Sequence, residues 1–161
     1  MTVLQARHPF SFRDDPRVPP FDDTDPLAVM DAECAVCSWG ARMIHRLDRS
    51  ERVRICPVQT PLGAALLEHY GLAPDDPSTW LFIDRGVAHA DFDAIIHAGR
   101  SFGGWGRLTA VFLVLPRPLR DGLYRCLARN RYALFGRGDM CALPDPAFRK
   151  RLLGRKEPTD G

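Results

Sequence analysis

The chain has 161 residues, 45% of them hydrophobic and 26% charged, which fits one soluble globular domain and excludes a low-complexity or fibrous chain. The formal net charge of +2 gives no strong global pull toward nucleic acid or an acidic membrane surface. That balance is unevenly spread: residues 1–35 hold three Arg against seven Asp or Glu, and residues 100–156 hold thirteen Arg or Lys against three Asp, a net of +10. The basic third reads either as a solvated face or as a surface for an acidic partner.

Residues 1–25 carry Pro9, Pro16, Pro19 and Pro20 among Asp and Arg, without periodicity, and read as an irregular tail, disordered or wrapped over the domain. Leu27 to Met30 reads as a buried strand. Cys34 to Arg49 reads as a helix, with Val36, Trp39, Met43, Ile44 and Leu47 at helical spacing. Val53 to Ile55 is a short strand ending at Cys56-Pro57. Thr60 caps a second helix with Pro61 at its first position, and Gly71 stops it after Tyr70. Pro74 to Ser78 is a loop. Trp80 to Ile83 and Val87 to Ala90 read as a strand pair turned by Asp84-Arg85-Gly86. Phe92 to Ala98 is a short helix, and Gly103 to Gly106 a link. Leu108 to Leu115 is an apolar helix or buried segment, broken by Pro116 and Pro118. Leu119 to Asn130 is a further helix with Leu123, Cys126 and Leu127 on one face, which places Cys126 in the core. After Arg149 the chain turns polar and frays. The domain therefore spans 26–150, between tails at 1–25 and 151–161.

The order strand, helix, strand, helix, strand pair, helices fits an α/β domain. We expect a mixed sheet of about four strands flanked by helices, with extra helices at the C-terminal end. Cys34 and Cys37 open the first helix of that layout, the place of a redox pair in a thioredoxin-like domain. A sulfur at a helix N-terminus meets free amide N–H groups and the positive end of the helix dipole, which favour the reactive thiolate. Residues i and i+3 share a helix face, so Cys37 is placed to resolve a mixed disulfide formed by Cys34. Asp31 and Glu33 flank the pair; their charge disfavours a thiolate, and either could instead take the Cys37 proton. Trp39 fits core packing or a shield for the thiols.

Other readings of the pair are structural packing and a metal site. Zinc wants four ligands, commonly two close pairs, and only one pair is present, so no metal is assigned. Cys56 at a strand end reads as a small buried residue or a neighbour of the pair. Cys141 is structural or a third thiol. Arg129, Arg131 and Arg137 around Tyr132 and Phe135 read as an anion or partner contact, as a lid near the thiols, or as a capped helix end with solvated arginines and two aromatic anchors. Phosphate-loop, dinucleotide, zinc-protease and serine-hydrolase motifs are missing, so no cofactor is expected. Residues 1–12 lack a secretory apolar run, and no apolar stretch approaches the roughly 20 residues of a bilayer span. A cytoplasmic location is the expectation, with five cysteines an odd count for full pairing.

Four segments in order resemble the DCC family of thiol-disulfide oxidoreductases. They are Met30 to Cys37, similar to an Asp-Gly-x-Cys-x-x-Cys opening; Pro57 to Gly63; Pro116 to Tyr124; and Ala128 to Arg137, followed by Cys141-Ala142-Leu143-Pro144. The match runs over about residues 27–145. The resemblance implies a thioredoxin-like fold and a protein-disulfide reductase or exchange activity. Its substrate would be a disulfide-containing protein or small thiol, with an unnamed electron donor and no nucleic acid. Ala32 stands where the family usually has Gly. Pro77 lies too far upstream of the Trp80 strand to serve as the substrate-pairing cis-proline of thioredoxins. The alternative on the same fold is a non-catalytic interaction module using the basic face.

Overall fold

The computed structural model describes residues 4–75, 80–104, 108, 111, 114–140 and 145–154. A four-stranded sheet has the order β2-β1-β3-β4, formed by β1 (Leu27–Met30), β2 (Arg54–Pro57), β3 (Leu81–Asp84) and β4 (Val87–Ala90). β1 pairs with β2 in parallel and with β3 antiparallel, and β3–β4 is an antiparallel hairpin. The helices are α1 (Ala35–Leu47), α2 (Pro61–His69), α3 (Asp91–Ser101), α4 (Arg117–Phe135) and the short α5 (Pro146–Arg149). This is the expected thioredoxin-like α/β architecture.

Strand alternation sorts the core into two layers. Leu27, Val29, Cys56, Leu81 and Ile83 face α2, packing on Leu62, Leu66, Leu67 and Tyr70. Ala28, Met30, Ile55 and Phe82 face the other side, with Ala41 and Ile44 of α1 and Ala94 and Ala98 of α3. α2 begins as its sequence dictates: Thr60 Oγ1 accepts from the Gly63 N–H at 3.1 Å, and Pro61 supplies the pre-set first turn. Gly63 is needed there, because a Cβ would lie 2.2 Å from the Pro57 carbonyl oxygen.

The N-terminal stretch wraps the α2 layer. Phe12 and Val18 are buried in that cluster. The His69 ring bridges Ser11 Oγ and Asp15 Oδ2, each at 2.8 Å, and so ties the wrap to the end of α2.

Several local expectations are corrected. α1 stops at Leu47 instead of Arg49, because Asp48 turns inward to a buried ion pair with Arg151 at 2.7 Å and accepts the Val53 N–H at 2.8 Å. Arg151 is therefore no frayed tail residue, and the backbone at Arg151 and Leu153 bonds to Ile55 on the β2 edge. α3 is longer than Phe92 to Ala98. α4 runs from Arg117, since Pro118 is tolerated in a first turn, to Phe135, where Gly136 at φ 75° ends it. Trp39 is 62% exposed and not core. Cys126 is also exposed, together with Leu119, Leu123 and Leu127, so the apolar stripe of α4 faces outward. Of the segment 108–115, Leu108, Val111 and Val114 are described and exposed. Pro77 and Cys141 lie outside the described residues. All peptide bonds among the described residues are trans.

Candidate active site at the start of the first helix

Cys34 is the N-cap of α1, in extended backbone conformation, and no side-chain oxygen caps the helix. The nearby Cys37 thiol, the Val36 and Cys37 N–H groups and the positive charge of Arg131 all favour the Cys34 thiolate. The Cys37 interaction is the largest influence and, with the two amides and Arg131, outweighs burial, which raises the pKa; the net effect lowers the Cys34 pKa from 9.0 to about 6. The Cys37 pKa moves up strongly, because its proton is shared with Cys34 and because the group is buried. The pair is thus asymmetric at neutral pH: a thiolate at Cys34 held by a thiol at Cys37.

Access is also asymmetric. Cys34 is fully buried, whereas Cys37 is partly exposed. The cover over Cys34 is the strap that follows α4. Cys34 and Arg137 form an antiparallel bridge. The Gly138 N–H donates to the Glu33 carbonyl at 3.0 Å, and the Met140 N–H to the Ala32 carbonyl at 2.9 Å. The approach is so close that a Cβ on Gly138 would lie 2.9 Å from the Ala35 Cα. Ala32, in the place of the usual Gly, is 6% exposed. Its N–H donates to Gln59 Oε1 at 3.2 Å.

Asp31 anchors this cover. Its buried carboxylate accepts from the Glu33 N–H at 2.9 Å, Gln59 Nε2 at 2.7 Å, Arg131 Nη2 at 2.9 Å and Tyr132 Oη at 2.5 Å. With these four donors, the visible role of Asp31 is to hold α4 and the strap in place. The Arg131 guanidinium also sits over the Tyr132 ring, 4.7 Å from its centroid. Glu33 is exposed and contributes through its backbone. Arg129 is exposed and shares none of these bonds. Cys56 is buried in the α2 layer against Thr60 Oγ1 at 3.3 Å, while Cys37 packs on the opposite layer. Burial raises the Cys56 pKa to about 11, which keeps it an inert thiol at neutral pH.

Sequence alone assigns Gln59 no part in the site, and it offers Tyr132 only as a member of the arginine cluster. Their signal was membership of the second and fourth family-like segments, without a motif that gave them a role. A cavity of about 350 Å³ lies between α1, α3 and α4, with Cys37 and Arg131 in its wall. Among the described residues, no group of three His, Cys, Asp or Glu side chains is placed to hold a metal.

Residues 28–137 match the family of DCC1-like thiol-disulfide oxidoreductases. The chain belongs to that family. It is 32% identical over 127 residues to the uncharacterized protein YuxK of Bacillus subtilis (strain 168), covering 79% of this chain and 93% of YuxK. It is 32% identical over 123 residues to a chloroplastic DCC family protein of Arabidopsis thaliana, covering 76% of this chain and 72% of that one. No solved structure matches the chain significantly. The family match spans the Cys34–Cys37 pair, Asp31, Gln59, Arg131 and Tyr132, and it ends at Arg137, where the strap begins. Among the described residues, no helix of this DCC-family chain is long and apolar enough to cross a membrane.

Proposed function

We propose that this DCC-family protein is a thiol-disulfide oxidoreductase of the protein-disulfide reductase type, with Cys34 as nucleophile and Cys37 as resolving thiol. The observation that carries the reading is the placement of Cys34 at the N-cap of α1 with Cys37 in its first turn, an arrangement that favours the thiolate at Cys34 and the thiol at Cys37. In reduction, the Cys34 thiolate attacks one sulfur of a disulfide, and the other sulfur leaves as a thiolate. Cys37 then loses its proton and attacks Cys34, which closes the Cys34–Cys37 bond and releases the second substrate sulfur. Asp31, Arg131 and Tyr132 position the cover. The substrate is a disulfide-bearing protein or small thiol compound that reaches Cys34 once the strap at 137–140 lifts, in a reducing compartment such as the cytoplasm.

The test is thiol trapping with mass spectrometry in glutathione buffers. A reversible two-electron couple between Cys34 and Cys37, lost in Cys34→Ser, is expected. A pair that stays reduced across the physiological range sinks the enzyme reading. The interaction-module reading would then lead, favoured by the buried Cys34 and by the exposed Leu119, Leu123 and Leu127 of α4.

A further inference from the structure

We infer that the apolar cavity beside Cys37 binds a neutral ring compound with carbonyl acceptors, of the para-quinone class, and that this compound accepts electrons from the Cys34–Cys37 pair. The inference rests on the dithiol reading above and names a small-molecule partner for it.

The cavity, about 350 Å³, falls within the roughly 300–1,000 Å³ of small-molecule sites. Its wall is largely aliphatic, aromatic and thioether, with Met30, Ile44, Trp80 and Phe102 among the lining residues. A charged ligand would lose its hydration there without recompense. The one guanidinium in the wall, Arg131, already pairs with Asp31 at 2.9 Å and does not call for an anion. The ligand is therefore neutral and mostly apolar.

Two residues of that wall carry buried donors without acceptors. Trp80 Nε1 and Arg131 Nε are buried atoms with no hydrogen-bond partner among the described residues. Arg131 is only 5% exposed. Buried N–H groups left unpaired are costly, and an acceptor oxygen on a ligand would remove that cost. An apolar ring with carbonyl oxygens offers both the surface and the acceptors.

Cys37 in the same wall gives the site its chemistry. A disulfide substrate must bring a sulfur in line with Cys34, which the strap covers. A quinone needs no sulfur–sulfur bond to the protein and meets the pair from the open Cys37 side. The step balances as follows. The Cys37 S–H bond breaks, the Cys34–Cys37 bond forms, and the two sulfurs together lose two electrons. The quinone takes those electrons with the Cys37 proton and one proton from water, and leaves as the hydroquinone. Negative charge that builds on the carbonyl oxygens would be met by the Trp80 and Arg131 N–H groups.

Duroquinone is the probe, because its ring has no free position for thiol addition. Binding is read by tryptophan quenching in the full-length Cys34→Ser/Cys37→Ser protein, where no electrons can move. Gly40 lines the cavity, and a Cβ there meets only the Met30 Cε at 3.7 Å, so Gly40→Leu fills the space from a helical position. Saturable quenching is expected, weakened at least tenfold by Gly40→Leu and retained with Gly40→Ala, each variant first shown to melt cooperatively. The anaerobic reduced wild-type protein should yield one duroquinol per Cys34–Cys37 disulfide, at a rate that saturates with quinone. Unsaturable quenching, or quenching indifferent to Gly40→Leu, overturns the site. Bound quinone that is not reduced, while glutathione buffers do oxidise the pair, overturns the electron transfer and leaves the dithiol reading intact. A pair that glutathione cannot oxidise removes both the dithiol reading and the electron transfer.

Discussion

The two faces of the sheet are finished differently. On the α2 face the N-terminal wrap brings Phe12 and Val18 down onto Leu66, Leu67 and Tyr70, and the layer is filled. On the α1 face the strands meet small residues, Ala41, Ala94 and Ala98, and a cavity remains beside Cys37. Interiors normally pack to crystal-like density, so a void beside a thiol pair marks a division of labour; the hollow on the α2 side lies within the outer wrap, among Phe12, Val18 and Phe21. The filled face stabilises the fold. The other face holds Cys37, the unpartnered Trp80 and Arg131 N–H groups and the cavity.

The largest expected effect tests the thiol side of the molecule. Asp31→Ala removes the carboxylate that four donors share and leaves the buried Arg131 charge unpaired, which should cost about 3–5 kcal/mol. Chemical denaturation reads the loss. Hydrogen exchange should show the Gly138 and Met140 amides losing protection first, and an unchanged exchange pattern there would break the link between Asp31 and the cover. Next comes Leu66→Ala on the filled face, at 0% exposure, with an expected cost of about 2–5 kcal/mol. Below its melting temperature this variant should keep the wild-type pH profile of Cys34 alkylation. A shifted profile would mean that the faces are coupled.

The difference between the faces also explains what could be read from the sequence. The strands were legible because Leu27 to Met30 and Leu81 to Ile83 are short apolar runs bounded by turn residues, and α2 was legible because Thr60-Pro61 is a strong start signal. The pair Cys34–Cys37 announced itself by spacing. The cover was legible only as one alternative, a lid built from the Arg129–Arg137 segment, and its anchor was not, because Arg131 and Tyr132 lie about 100 residues from Asp31 and meet that carboxylate only through tertiary packing. The same limit hid Arg151, whose partner Asp48 lies 103 residues away and turned a polar tail into a buried contact. Periodicity also misplaced Cys126, since an apolar stripe on α4 marks a face and does not say whether anything covers it.

A smaller effect separates the two thiols. Cys34 alkylation by iodoacetamide should be half-maximal near pH 6 in the reduced protein. Cys37→Ala removes the largest cause of that shift, so the midpoint should rise toward 9.0 and the rate at pH 7 should fall roughly tenfold or more. The sign carries over to stability. In the folded state Cys34 loses its proton near pH 6, and in the unfolded state near 9, so the unfolded chain binds more protons between those values. Relative to Cys34→Ala, the reduced wild-type protein should therefore gain stability as pH rises from 6 to 8 and lose that gain as pH falls back through 6. A flat difference would place the lowered pKa in doubt.

The smallest effect settles where Cys56 belongs. Thr60→Ala removes both the cap of α2 and the hydroxyl 3.3 Å from the Cys56 sulfur. The cap is worth about 1 kcal/mol, read as a lowered denaturation midpoint with an unchanged slope. If Cys56 were part of the thiol machinery, disturbing its partner would move the Cys34 alkylation midpoint or the Cys34–Cys37 redox couple. Cys56 instead faces α2, across the sheet from the layer that Cys37 joins, so both should stay where they are. A variant that loses stability without any change at the thiols would place Cys56 on the filled face, as a packing residue whose raised pKa reflects burial. A shift at Cys34 would instead mean that the sheet transmits a change from one face to the other through β2, and the division between the faces would fail at that strand.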